Sequence, residues 1–220
     1  MATEQQKKDA IHESGHAVIA KLFDDDFEVK SITLSPNIYA AHTDTTDWRG
    51  GIHLKPKLKT LQTPTLENKD KLIISMWGGL AAQNIFIKGH DNIRNNLNTY
   101  LAKPNLLDLN GFIGDWELTS EYITEQTQIR EISYDKYRLG FLDFTFNYLL
   151  LDKVWETTES LSELVLNSQN LTVTQKEIEY HYRNTGFTKY LYKNKTCILN
   201  KRYKVSVYKK LIYYLKSILQ

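Results

Sequence analysis

His12, Glu13 and His16 stand in the run Ala10-Ile11-His12-Glu13-Ser14-Gly15-His16-Ala17. This is the pattern H-E-x-x-H. It constrains the chain strongly, because it has chemical meaning only on a helix, where residues four apart share a face. Both imidazoles can then reach one metal ion, with Glu13 beside them in reach of a water on that ion. The pattern predicts a helix over about residues 5–23, a bound zinc ion and hydrolysis of an amide bond.

A catalytic zinc takes three protein ligands and leaves one position open. Two histidines are therefore not enough. Spacing leaves His42, His53, His90, His181 and many carboxylates as candidates for the third ligand. Cys197 is the only cysteine, so a thiolate cluster and an intramolecular disulfide are both excluded. A reducing cytoplasm is the simplest expectation for such a chain. Residues 1–9 lack the apolar core of a secretory signal. No run reaches the roughly 18 apolar residues of a membrane span.

The 220 residues, 41% hydrophobic and 25% charged, suit one well-packed domain with a small appendage. The net charge of +2 hides an asymmetry. Residues 189–220 carry nine basic side chains and no acidic ones, which leaves −7 on residues 1–188. We therefore expect a main domain over 1–188 and a basic extension over 189–220. Val207, Leu211, Tyr214, Leu215 and Ile218 could line one face of a terminal helix that contacts an anionic surface, a membrane or a nucleic acid. A packed or solvated extension without a partner is the simpler expectation.

Val29 to Leu34 alternates apolar and polar residues and predicts a strand. After the turn residues Ser35-Pro36-Asn37, Tyr39 to Thr46 reads as the returning strand. Its segment Tyr39, Ala40, Ala41, His42 and Thr43 is the candidate edge that an extended peptide would pair with. Residues 48–65, with Gly50-Gly51, Pro56 and Pro64, read as a loop. A helix capped by Thr65 and running to about Ile87 contains Gly78-Gly79, a cost that close helix packing would explain. Residues 89–110 are Asn-rich and read as a loop. One helix is expected from Gly114-Asp115 to about Tyr122, and a long helical region from Ser133 to Asn167. Within that region, Phe141 to Leu151 reads as buried. Thr174 and Glu177 have the form of a capping box, which predicts a short helix after them. Asp24-Asp25-Asp26 reads as a solvated helix end. These elements describe a mainly α fold with a small antiparallel β-sheet, of the α+β class.

In this order, the segments resemble the peptidase domain of FtsH-type zinc metalloproteases over roughly residues 8–185. The H-E-x-x-H run matches its first helix, and Val29 to Pro36 resembles the strand that follows. Gly78-Gly79-Leu80-Ala81-Ala82-Gln83-Asn84-Ile85-Phe86 resembles its G-G-R-A-A-E-E helix, with Leu80, Gln83 and Asn84 as departures. Gly114-Asp115-Trp116-Glu117-Leu118-Thr119-Ser120 resembles its D-L-x-x-A-T segment. Thr172 to Glu177 resembles its closing T-L-x-x-x-E. The resemblance implies that Asp115 is the third zinc ligand, with Glu117 and Asp108 as fallbacks, and that Glu13 is the general base. It implies an endopeptidase that acts on unfolded or extended polypeptides. The family carries an AAA ATPase module and membrane helices ahead of this domain. Here eleven residues precede His12 and no G-x-x-x-x-G-K-[ST] occurs, so ATP-independent action is expected, with a separate unfoldase as a conceivable partner. The competing expectations are a catalytically idle zinc-binding regulator and an antirepressor-type metallopeptidase that cleaves one specific partner. The sequence does not set the oligomeric state.

Overall fold

Thr3 starts the first helix. Its hydroxyl accepts from the Gln6 backbone N–H, while the Gln6 side chain accepts from the Thr3 N–H, which satisfies two donors that a helix start leaves open. The helix, α1, spans Glu4–Leu22. From Ala10 to Ala20 every residue except Glu13 is buried. A helix buried on all sides belongs at the centre of the core, and α1 packs against helices on two sides and the sheet on a third. The computed structural model describes residues 2–35, 51–57, 66–110 and 113–200.

Strand β1, Phe27–Thr33, pairs antiparallel with β2, Gly51–Pro56, on one side and with β3, Thr172–Thr174, on the other. The order is β2-β1-β3, with Ile32 opposite both Ile52 and Val173. Strand β2 corrects the loop expected over 48–65. Ile52 and Leu54 alternate with His53 and Lys55, a period of two that the flanking glycines and Pro56 obscure. Pro56 is tolerated because it ends a strand that is outermost among the described residues, where no ladder N–H is needed. The candidate edge at Tyr39, Ala40, Ala41, His42 and Thr43 lies outside the described residues.

The helix expected over 65–87 is two helices, α2 (Leu66–Met76) and α3 (Gly78–Lys88), separated at Trp77. Trp77 is buried, and its indole N–H donates to the Thr119 hydroxyl at 3.1 Å. The Asn-rich stretch also differs from expectation. It forms α4, His90–Ala102. Ile93, Leu97, Tyr100 and Leu101 follow the helical period and pack on the core. Asn92 and Asn96 turn their amides back to the carbonyls of Lys88 and Asn92. Gly89, at φ 89°, separates α3 from α4 in a conformation that suits glycine.

Helix α5, Ile113–Arg130, starts where expected and runs two turns beyond Tyr122. Arg130 at its end pairs with the buried Asp70 at 3.0 Å. The region from 133 to 167 divides at Leu150-Leu151 into α6, Tyr134–Leu149, and α7, Asp152–Asn167. Phe141, Leu142, Phe146 and Leu149 are buried, as the apolar run predicts. The capping box at Thr174 and Glu177 is formed and opens α8, Gln175–Asn184. A further helix, α9, covers 187–200, with Leu191 and Ile198 buried. The fold is mainly helical with one small antiparallel sheet, as the sequence predicts.

The three carboxylates after α1 are not a simple solvated end. Lys195 bonds Asp24 and Asp25, both at 2.8 Å, and Lys71 bonds Asp26 at 2.8 Å. Among the described residues, no helix is long and apolar enough to cross a membrane. Cys197 is a free, exposed thiol.

Candidate metal centre

Helices α1 and α3 touch through their backbones. A Cβ on Gly15 would lie 2.4 Å from the Gly78 carbonyl oxygen, and one on Gly78 would lie 2.6 Å from that of Gly15. No side chain fits there, so the two glycines set the crossing. The conformational cost of Gly78-Gly79 in a helix, about 1 kcal/mol each, is explained by this approach. Gly79 serves the next layer. A Cβ on it would lie 2.4 Å from His12 Nε2 and 2.5 Å from His16 Nε2. The missing side chain is the space into which both imidazole edges project.

Asp115 arrives from α5. One turn further on, Thr119 donates its hydroxyl to the Asp115 carbonyl at 2.7 Å and accepts from Trp77, which fixes this turn against the α2–α3 junction. Asp115 Oδ2 lies 3.1 Å from His12 Nε2 and 3.2 Å from His16 Nε2. All three side chains are buried, and their ligand atoms lie within 4.8 Å of one another.

The outer nitrogens set the protons. His16 Nδ1 lies 2.9 Å from the Ser75 carbonyl oxygen, which can only accept. The Nδ1 therefore carries hydrogen; the Gly79 N–H approaches the same nitrogen at the longer distance of 3.2 Å. His12 Nδ1 lies 3.2 Å from Gln83 Oε1. The Gln83 amide is oriented by its Nε2, which donates to the Asn110 carbonyl at 2.7 Å, so its oxygen faces His12 and that Nδ1 also donates. Two neutral imidazoles held this way turn Nε2 lone pairs on a carboxylate oxygen. Three acceptors converging in a buried space need either protons or a cation between them.

A metal ion fits the donor set. A tetrahedral zinc with ligands at about 2.0–2.1 Å spaces them about 3.3–3.4 Å apart. The two Nε2–Oδ2 distances, 3.1 and 3.2 Å, are close to that edge length. The His12, His16 and Asp115 group can thus in principle hold a metal ion, with second contacts from Gln83 and Ser75 of the kind that fix imidazole ligands.

Without a metal the charges partition differently. Burial opposes the charged form of His16, but Asp115 outweighs it and raises the imidazole from 6.5 to about 9. Burial likewise opposes the charged form of Asp115, but His16 and His12 outweigh it and hold the carboxyl down from 3.8 to about 2. The His16 contribution to stability is complete below pH 6.5 and is lost as pH rises through about 9. The Asp115 contribution is present above 3.8 and is lost as pH falls through about 2. In chelator-treated protein we expect the thermal midpoint to fall between pH 6.5 and 9. Asp115→Asn should flatten that slope in differential scanning fluorimetry.

Glu13 is half-buried on the neighbouring face of α1. Burial raises its carboxyl, the two imidazoles partly offset this, and Asp115 and Asp9 add to it. The fallback ligands are not drawn in. Asp108 accepts from the Asn110 N–H at 3.0 Å, and Glu117 is exposed on α5. His90 stacks on Trp155 and His181 bonds Ser160, each away from the cluster. His53 lies on β2, and His42 is outside the described residues. Sequence reading missed the Ser75 carbonyl and the contacts of Gly79 and Gln83 with the imidazoles. Gly79 stood out only as a sign of close helix packing, and Gln83 only as a departure within a recognisable segment. No protein-family model matches the chain, and no curated protein sequence matches it.

Proposed function

We propose that the chain is a zinc-dependent metalloendopeptidase that hydrolyses unfolded or extended polypeptides without ATP. One observation carries the reading: His12 Nε2 and His16 Nε2 lie 3.1 and 3.2 Å from Asp115 Oδ2, three buried ligand atoms gathered at one point beside Glu13. The resemblance of these segments to FtsH-type peptidases supports the substrate class.

His12, His16 and Asp115 would hold the ion. When bound, zinc polarises a carbonyl and lowers the pKa of water towards about 7. Glu13 supplies the proton traffic. As a carboxylate it takes a proton from the attacking water, and as an acid it returns it to the departing amine. Burial raises its carboxyl, which favours the protonated form that returns the proton. Gly79 keeps the space at the Nε2 atoms clear.

Metal analysis tests this directly. We expect about one zinc per chain, in line with one three-ligand site, and chelator-sensitive digestion of casein. Asp115→Ala should lose the metal. Full zinc occupancy in that variant would remove Asp115 from the site, and iron in place of zinc would redirect the reading to oxygen chemistry, which the same donor set also serves. Bound zinc without any proteolysis would favour the idle regulator. Cleavage of one partner and no unfolded protein would favour the antirepressor type.

A further inference from the structure

We propose that Gln83 is a positioning residue that sets His12 for metal binding and joins it to the segment leading into α5. The inference rests on the zinc reading above. Each imidazole needs an acceptor for its Nδ1–H if Nε2 is to bind a cation. His16 uses a backbone carbonyl, that of Ser75, which the helix holds in place. His12 has a side chain instead, Gln83 Oε1 at 3.2 Å. An amide on a flexible stem is a weak anchor unless its other end is fixed. Here it is fixed: Gln83 is buried and its Nε2 donates to the Asn110 carbonyl at 2.7 Å.

The next residue grips the same segment. Asn84 is fully buried, and its Oδ1 accepts from the Asp108 N–H at 2.7 Å while its Nδ2 donates to the Asp108 carbonyl at 2.9 Å. Consecutive side chains on α3 thus hold Asp108 and Asn110, and Asp115 follows five residues later. One amide touches both an α1 ligand and the approach to the α5 ligand. Gln83 therefore relates ligands that lie 103 residues apart in the chain.

Two substitutions separate its contacts. Gln83→Leu removes both. Gln83→Glu keeps an acceptor for His12 Nδ1–H and removes the donor to Asn110. The readouts are zinc affinity by chelator competition and the visible spectrum of the cobalt-substituted protein, neither of which depends on turnover. Gln83→Leu should bind zinc about 10- to 100-fold more weakly, the usual effect of losing such a partner, with a shifted cobalt spectrum. Gln83→Glu should bind more tightly than Gln83→Leu, because it keeps the acceptor for His12 and a carboxylate raises the basicity of the imidazole it holds, even without the Asn110 bond. Wild-type affinity and spectrum in Gln83→Leu would overturn the proposal. Equal losses in both variants would overturn it too, since the acceptor for His12 would then make no difference. If Gln83→Leu does not fold, Gln83→Met, which also lacks the acceptor, takes its place, and wild-type affinity in it rejects the role. A wild-type protein that binds no zinc removes the metal reading itself, whereas zinc-loaded wild type with an indifferent Gln83 removes only this inference.

Discussion

Glu13→Gln is expected to lower peptide cleavage by about 1000-fold, within the range that a positioned acid–base group contributes, and to leave zinc stoichiometry unchanged. The glutamine keeps size and polarity but cannot take or return a proton. It also does not disturb the ligands, because Glu13 stands on the neighbouring face of α1 while His12 and His16 project towards Gly79. About 1000-fold corresponds to roughly 4 kcal/mol of transition-state stabilisation. Steady-state kinetics on an unfolded substrate, with metal analysis of the same preparation, checks the outcome. Cleavage within a factor of a few of wild type would remove Glu13 from the chemistry and with it the H-E-x-x-H mechanism. Simultaneous loss of the metal would show instead that the residue holds the site together.

Gly79→Ala is expected to weaken zinc binding by about 100-fold or more, at least the upper end of what loss of an outer partner costs. The new Cβ would meet His12 Nε2 at 2.4 Å and His16 Nε2 at 2.5 Å. The backbone cannot retreat, since Gly15 and Gly78 are already in contact beneath it. The imidazoles must move, and they are the ends of side chains, so the helices stay as they are. An ordinary helix-interior Gly→Ala would stabilise by up to about 1 kcal/mol. The sign of the combined result is therefore diagnostic: helical signal retained, metal lost. A variant that still binds zinc stoichiometrically and tightly would place the two Nε2 atoms elsewhere.

Local pattern and tertiary contact divide this protein clearly. Element types were legible where a periodic signal agreed with its punctuation, as in α1, β1, α6 and the capped start of α8. They failed where composition spoke against period. Asn-rich α4 reads as loop although Ile93, Leu97 and Tyr100 keep helical spacing, because asparagine usually bonds its own backbone outside helices. Strand β2 reads as loop because glycine and proline at its ends masked the alternation of Ile52 and Leu54. The breaks at Trp77 and at Leu150-Leu151 leave no mark, since nothing in those residues forbids a helix. Trp77 is set by its bond to Thr119, a partner 42 positions away.

By itself the sequence determined that His12 and His16 share one helical face with Glu13 beside it, because a spacing of four is a local property of the helix. Its order of segments pointed to Asp115 only through resemblance. The tertiary structure alone decided that Asp115 meets both imidazoles, that Gly79 makes the room, and that Gln83 and Ser75 direct the Nδ1 protons outward. Those facts depend on how closely α1, α3 and α5 approach. Such distances are fixed by packing between residues far apart in the chain, which no local pattern encodes.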